Sequence, residues 1–469
     1  MVRDLTKGGP TRLIVSFACT MLLASMMNYI YNFTDSLMVG RFVNAEALGA
    51  VSAASPFLLL MNNLSFATLS GVSIIIGQLF GAQDRVGMRR TMANAIYLTA
   101  MIITLATVGS VLLCRPILIA MDTPKELLDM SVIYTTIILL AKPASAPSWL
   151  LSGVFRSLGD TKTPVVIAIV NGFGNVVFNF LFLVVFPMGI AGAALGTLCS
   201  AATGSLIYII IFRKKMQVLH FNRKEAAFSP AIIKRLLSIG VPLGLESSIT
   251  AFSSLMLQVA INGHGVAAVT GISMGGKLMS LFWVLFGVFE SALLAFSAQN
   301  IGAERLDRAR RGVRSTLFIL FGVGAAFLAI TIFGLDRYVY MAFVGNDAAI
   351  LGHAHRYLLI QVCAFPFIAM LYAWRAGLKS FGSTVPTVVC GAIELVARIT
   401  VSVFFAHDLN VLFFAGPMAW LGTAVYLAIL YPITVRRTAR RIARHREKND
   451  NAGAQLDEPD PEDAIRECS

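Results

Sequence analysis

One carboxylate and several amides could form a cation site within otherwise apolar stretches of this chain. Asn171, Asn175 and Asn179 recur at every fourth residue, which places their amides on one face of a helix. Asp35 ends an earlier apolar run, and Thr197 lies in the run after the asparagines. Such oxygen-bearing side chains suit Na⁺, held by Asp35, Asn175 and Asn179, or a proton shared through the network. The spacing therefore predicts a polar cavity wall that takes a cation.

Each of these residues also has a structural interpretation. Asp35 could be a helix-end carboxylate that contacts outer water, and single amides can join helices. Three aligned amides beside a carboxylate favour function, because a charge at the centre of a bilayer costs about 2.5–3.5 kcal/mol on insertion scales. Further candidates for the lining of a substrate cavity are Met26, Tyr31, Asn171 and Glu246.

Other ionisable residues in apolar runs call for partners. Glu394 and Arg398 are four residues apart, so we expect them to neutralise each other on one helix face. Glu246 is expected to face the cavity, and Lys142 could counter one of the acids. The role of Glu290 stays open.

The elements that position these residues must be membrane helices. Hydrophobic residues make up 57% of the 469 residues and charged residues 13%, against roughly 25% charged in a globular domain, and the mean hydropathy is +0.75. The six cysteines show no CxxC pair, and we expect them to be small apolar residues. Runs of about 20 apolar residues predict twelve spans, at 12–34, 49–80, 91–113, 129–155, 164–186, 190–212, 233–261, 267–299, 313–334, 354–378, 386–406 and 411–434.

The distribution of lysine and arginine predicts the orientation. The outer loops hold Arg41, Arg115, Lys125, Arg337 and Arg356, whereas most of the 38 basic residues lie on the side of the N-terminus. This bias predicts that both termini are cytoplasmic. The formal net charge of +13 then suits anionic membrane lipids, and no nucleic-acid partner is expected. The first apolar run is long enough to be retained as a span rather than removed as a signal peptide.

Internal similarity indicates a duplicated chain. Gly77–Asp84 aligns with Ala298–Arg305, and Gly159–Pro164 parallels Gly382–Pro386. Each half holds six spans, and parallel halves are related by an axis along the membrane normal. We predict an all-α membrane protein with twelve transmembrane helices in two six-helix lobes. The predicted divisions are an N-lobe at 1–225, a C-lobe at 226–434 and a charged tail at 435–469 that is a short helix followed by disorder.

Two bundles that rock about a central cavity are typical of secondary transporters. A channel could share the hydropathy, but duplicated halves with different buried polar residues favour alternating access. Gly271–Lys277 imitates a phosphate-binding loop, yet Leu278 stands where Ser or Thr would bind Mg²⁺. We therefore expect no enzyme, no cofactor, and transport driven by an ion gradient.

The motifs together resemble those of the bacterial multidrug and toxic compound extrusion (MATE) family, through about residue 434. The resemblance implies an antiporter that exports lipophilic or cationic drugs and toxic compounds in exchange for H⁺ or Na⁺. We also expect the protein to be a monomer in the cell membrane. The stretches that carry it are Tyr31–Gly40, Ala47–Val51, Gln78–Ala82, Arg156–Pro164 and Gly192–Thr197.

The resemblance also implies a cation-coupling site at Asp35, Asn175, Asn179 and Thr197. Asn179 stands where other members carry Asp, so the site holds one carboxylate fewer. Residues 11–34 lack the first-span proline of many relatives, and Arg375 is the notable ionisable residue of the tenth span, where another branch has an acidic site.

Three other functions compete with drug export. A flippase for lipid-linked precursors would need several arginines that face inward, and the spans offer few basic residues. A facilitator of the sugar-transporter superfamily is disfavoured because the element Gln-x-x-Gly-Ala occurs in both halves, at Gln78 and at Gln299. A membrane enzyme lacks a catalytic constellation. Residue types name neither the substrate nor the coupling ion.

Overall fold

The computed structural model describes the backbone of residues 3–456 of this chain. Residues 1–2 and 457–469 lie outside the described residues, as do the side chains of 32, 33, 45, 64, 66–68, 342–344 and 445–456. The helices are α1 Pro10–Phe42, α2 Ala45–Gly81, α3 Arg85–Ala120, α4 Lys125–Leu140, α5 Lys142–Ser157, α6 Lys162–Phe180, α7 Gly189–Lys215, α8 Pro230–Asn262, α9 Val266–Gly302, α10 Leu306–Ile332, α11 Leu335–Val344, α12 Ala348–Cys363, α13 Phe365–Ser380, α14 Val385–Phe404, α15 Leu409–Leu412 and α16 Ala415–Leu456.

The helices account for the twelve predicted spans. Nine helices of the described chain are long and apolar enough to cross a membrane, and two bent pairs, α4 with α5 and α12 with α13, each make one more. The twelfth is α2, which has 37 residues. The chain is thus an all-α membrane protein, as predicted.

The fourth and tenth predicted spans are not straight helices. The chain bends by 48° between α4 and α5 and by 50° between α12 and α13. Each second helix has a proline in its first turn, Pro143 or Pro366, where the missing amide N–H costs nothing to the new helix but interrupts the old one. The duplicated halves therefore share the same bend.

Two segments lie at the ends of long helices: the connection between the two halves, and the C-terminal tail. α7 ends at Lys215 and α8 begins at Pro230, so the predicted lobe boundary at 225/226 falls in this connection and stays a prediction. For the tail from 435 onwards, the sequence predicts a short helix followed by disorder. The structure continues α16 as a helix to Leu456, and 457–469 lie outside the described residues.

Helix α1 packs against both halves of the chain. Its first half contributes Leu13, Ile14 and Phe17 to a buried core with Phe286 and Phe296 of α9. Its second half contacts α6. α1 is therefore one continuous helix that contacts both the N-terminal half and the C-terminal half.

The halves meet in a reciprocal contact on the side of the N-terminus, which we name the inner seal. The side chain of Gln78 donates to the carbonyl oxygen of Ser380 at 2.7 Å, and its repeat counterpart Gln299 donates to that of Ser157, also at 2.7 Å. Gly81 lies against the backbone of Gln299, and Gly302 lies against the backbone of Gln78. A Cβ atom at either glycine would overlap these backbone atoms, so glycine permits the close approach.

The N-terminal segment 3–8 crosses the inner seal. The amide of Arg3 donates to the carbonyl oxygen of Leu158 at 3.0 Å, and the amide of Leu5 donates to Oε1 of Gln299 at 2.8 Å. Arg308 of α10 donates to the carbonyl oxygen of Gly8 at 2.9 Å. Leu5 is buried in the same contact. The segment thus ties the two halves together at their inner ends.

We expect Gly81→Ala to open the inner seal, because the new methyl group meets a backbone carbonyl that cannot rotate away. Overpacking of this kind costs about 1–3 kcal/mol. Double electron–electron resonance between spin labels at Arg90 and Arg311, which are both exposed, should show a longer inter-lobe distance in the variant.

Gly109→Ala is the matched control, since open space surrounds Gly109 in α3. It should leave the distance unchanged and the protein equally or slightly more stable. An unchanged distance in Gly81→Ala would contradict the role of this contact in closing the lobes.

Candidate cation-coupling site and central cavity

The asparagine face of α6 packs against glycines of α7. Gly196 lies directly against the side-chain oxygen of Asn179, and a Cβ atom at Gly204 would come within 2.6 Å of Oδ1 of Asn171. Small residues let two membrane helices approach closely enough to bury these amides. Asn175 and Asn179 are fully buried as a result.

Asp35 and two of the predicted asparagines form one hydrogen-bonded cluster. Nδ2 of Asn179 donates to Oδ1 of Asp35 at 2.6 Å and to Oδ1 of Asn175 at 3.0 Å. Oδ1 of Asn179 and Nδ2 of Asn175 have no hydrogen-bond partner within the described part of the chain. Directly after these residues, α6 widens into a π-helical turn at Leu181–Val185, a geometry that is frequent at functional sites.

A cavity of about 910 Å³ lies beside this cluster. Tyr31, Asp35, Asn171 and Thr197 line it. The hydroxyl of Thr197 donates to the carbonyl oxygen of Ala193 at 3.2 Å. The structure therefore places Asp35, Thr197 and two of the four cavity candidates at one wall. Asn175 and Asn179 are buried next to Asp35 and do not line the described cavity.

Met26 and Glu246 do not lie where the sequence analysis expected them. Met26 is 48% exposed on α1 and is not part of the described cavity wall. Since successive α1 residues point in different directions, its neighbour Ser25 lines the cavity instead. Glu246 is buried in the C-terminal half, away from the cavity lining.

Glu246 belongs to a ring of four opposite charges. Nη1 of Arg375 lies 2.8 Å from Oε1 of Glu246, and Nη2 lies 3.1 Å from Oε2 of Glu290. Nζ of Lys379 lies 3.3 Å from Glu246 and 3.1 Å from Glu290. Two acids and two bases cancel in this ring, which assigns Glu290 a structural role and explains why Glu246 does not face the cavity.

The other buried charges divide into paired and unpaired groups. Arg398 lies 3.3 Å from Glu394, which confirms the predicted pair, and it also donates to Oγ of Ser253 at 2.6 Å. Lys142 does not counter an acid among the described residues. Its Nζ donates to Oδ1 of Asn62 at 2.7 Å and lies 5.5 Å from the centre of the Trp149 ring.

Arg156 is a cavity residue that the sequence pattern did not predict. Arg156 lines the large cavity and also a second one of about 660 Å³. The second cavity lies between α1 and α9, and its wall shares Met21, Ser25 and Asn28 with the first. The two cavities therefore meet at Arg156 and form one cleft between the halves. In the sequence Arg156 stands out only within the motif Arg156–Pro164, although its place near the end of a span was a signal.

Comparison with known proteins gives consistent matches over nearly the whole membrane region. The family model MatE matches residues 21–181 and 242–404. The chain is 25% identical to the probable multidrug resistance protein YoeA of Bacillus subtilis, over 80% of this chain and 82% of that protein. It is 22% identical to the FAD transporter of Shewanella oneidensis, over 82% and 85% of the two chains.

The fold matches solved structures of the same kind. The crystal structure of MATE in the bent conformation superimposes with a TM-score of 0.85 at 18% identity and covers 94% of this chain and 98% of that one. A match of this extent means that the twelve helices form two lobes of six, the arrangement predicted from the duplication.

We expect Arg375→Met to destabilise the protein by about 3–5 kcal/mol, because the change removes the arginine that bridges two buried carboxylates. Thermal unfolding in detergent should show a clearly lower midpoint. Arg115→Met is the control, since Arg115 and Asp129 form an ion pair whose side chains are 58% and 78% exposed. Such a pair contributes about 0–1 kcal/mol. Equal midpoints for the two variants would contradict a structural role for the ring.

Proposed function

The chain belongs to the MatE family of transporters, and from this premise we propose that it is a proton-coupled antiporter that exports lipophilic small molecules, drugs among them. The observation that carries the proposal is the 2.6 Å hydrogen bond between Asn179 and Asp35 in the wall of the cavity. One carboxylate, held by a buried amide and open to a substrate cavity, is the minimum that proton coupling requires.

The closed inner seal supports alternating access. The halves are joined at Gln78 and Gln299, and the cavity extends on the other side of that contact to Asp35. This is the arrangement of an outward-facing transporter. Rocking of the lobes about the central axis would break the reciprocal contact and open the same cavity inward.

Protonation of Asp35 is the coupling event in this proposal. A hydrogen bond to an ionised carboxylate is roughly twice as strong as one between neutral groups. A proton on Asp35 therefore loosens the link between α1 and Asn179 of α6. Because the first half of α1 packs into the C-terminal half, a shift of this helix reaches the inner seal.

The contacts favour H⁺ over Na⁺ as the coupling ion. Asn179 turns its N–H group, not its oxygen, toward Asp35, and Oδ1 of Asn175 already accepts from Asn179. A hard cation takes several oxygen ligands. Sodium binding would require the amide of Asn179 to rotate, whereas a proton requires no rearrangement.

The proposed location is the cell membrane, with both termini in the cytoplasm and basic loops against anionic lipids. We propose that the protein acts on small molecules as a monomer, because one chain contains both lobes.

Cationic drugs as substrates stay a prediction. The Shewanella relative is named an FAD transporter, so similar chains are not confined to cations. A flippase of lipid-linked precursors is the competing function that the following experiment separates.

We expect Asp35→Asn to abolish gradient-driven transport while the protein still folds, because Asn keeps the shape of Asp but cannot exchange a proton. The assay uses inside-out vesicles and two dyes that share a xanthene ring, the cation rhodamine 123 and the anion fluorescein. An imposed pH gradient should drive accumulation of at least one dye by the wild type, and the variant should fall to the level of empty vesicles.

Asp129→Asn is the control, because Asp129 is an exposed carboxylate on α4 that pairs with Arg115. It should transport like the wild type. If only a Na⁺ gradient drives transport, the coupling ion is Na⁺ and not the proton. If the wild type is folded and neither gradient moves either dye, the antiporter proposal fails and the flippase becomes the better one.

A further inference from the structure

Arg156 is a cation in the wall of the central cavity. It lines both parts of the cleft, and it forms no ion pair within the described residues. Lys142 lies on the same helix, and it too has no carboxylate partner in the described part of the chain. A charged side chain in a membrane protein normally pairs or faces a functional cavity.

The two halves of the chain differ at the positions that would pair with Arg156, which has no ion-pair partner among the described residues. At the offset of 223 residues that relates Pro143 to Pro366, Arg156 corresponds to Lys379 and Ser152 corresponds to Arg375. The acids that neutralise Lys379 are Glu246 and Glu290. At the offset of 221 residues that relates Gln78 to Gln299, these acids correspond to Ser25 and Leu69. The N-terminal half therefore holds one cation of the ring and neither of its acids.

The remaining polar groups near Arg156 form a track along α5. Ser145, Trp149, Ser152 and Arg156 recur at helical spacing and all line the cavity. Lys142, one turn before Ser145, lies behind the same wall. Its Nζ contacts Asn62 and Trp149, which both line the cavity. The track thus has a positive charge at each end, hydroxyl groups between them and an aromatic ring in the middle.

The carboxylate of the cavity is too distant to neutralise Arg156. Asn28 of α1 shares the second cavity with Arg156, and Asp35 lies seven residues further along the helix. Seven residues correspond to about 10 Å. Among the described residues that line the large cavity, Asp35 and Arg156 are the charged ones. At this distance Asp35 does not cancel the charge of Arg156.

We infer that the substrates of this transporter carry an anionic group, a carboxylate or a phosphate, which pairs with Arg156. The guanidinium fork suits both groups because it can donate two parallel hydrogen bonds to either. The apolar or aromatic body of the substrate lies along Trp149 and Met21. This inference rests on the proposed function, since it takes the cavity to be the transport path, and it names the substrate class.

Binding of the matched dyes to purified protein tests the inference. Fluorescence anisotropy in phosphatidylcholine nanodiscs should show tighter binding of fluorescein than of rhodamine 123. Arg156→Gln should weaken fluorescein binding about tenfold or more, which is the loss of one charge-assisted contact, and should leave rhodamine 123 binding equal or tighter. Arg156→Lys should retain part of the fluorescein affinity, which separates loss of charge from misfolding.

Lys162→Gln is the matched control, because Lys162 is an exposed cation at the start of α6 and not part of the described cavity wall. It should bind both dyes like the wild type. Repeating the titration in phosphatidylglycerol nanodiscs distinguishes the source of the anion. Competition by that lipid would show that a lipid headgroup can satisfy Arg156, and no competition would assign the site to soluble anions.

The inference is overturned if rhodamine 123 binds more tightly than fluorescein, or if Arg156→Gln leaves fluorescein binding unchanged. Either result leaves the proposed antiport intact as long as Asp35→Asn still abolishes gradient-driven transport. Conversely, fluorescein could bind in a way that depends on Arg156 while neither dye moves along a gradient. That result would disprove the antiport but would still support an anion-binding site at Arg156.

Discussion

The cost of an ionisable group inside a membrane is the constraint on which this structure depends. The C-terminal half meets it within the chain, because Glu246, Glu290, Arg375 and Lys379 neutralise one another in a buried ring. The N-terminal half does not, since Asp35 has an amide partner and Arg156 has no ion-pair partner among the described residues. The buried charges of the C-terminal lobe are thus neutralised within the chain, and we call this the structural lobe. The N-terminal lobe exposes its charges to the cavity, and we call it the working lobe.

Helix α1 joins the working lobe to the closed contact at the inner side. Its outer part carries Asp35, and its inner part contributes Leu13 and Phe17 to a core shared with α9. The segment before the helix continues across the inner seal, where Leu5 bonds to Gln299. A change of charge at Asp35 and a change of contact at Gln299 therefore act on the two ends of one continuous element. This continuity gives the coupling a mechanical path without any change in the fold of either lobe.

Much of the fold and part of the site could be predicted from the sequence. Apolar runs of spanning length are a strong signal, and the four-residue spacing of the asparagines on α6 identified the amides that surround Asp35. Pairing across helices is different, because it depends on which faces meet. Arg375 lies more than a hundred residues from Glu246, so no local pattern shows that they bond. Pro143 and Pro366 indicate the bends at Ala141 and Ala364 in the sequence. That Arg156 has no ion-pair partner among the described residues is visible only in the three-dimensional arrangement.

The inner seal has the form of a contact between two copies of one surface. Gln78 with Gly81 meets Gln299 with Gly302, and each glutamine reaches the last residue of the bent helix in the opposite half. An interface in which the same patch serves both partners is isologous, as in twofold symmetric dimers. A chain of half this length could therefore have closed the same contact by pairing with itself in parallel orientation. Fusion of the two copies would then have freed one lobe to gain acids at Glu246 and Glu290 and the other to carry Asp35, a division of labour that identical subunits cannot have.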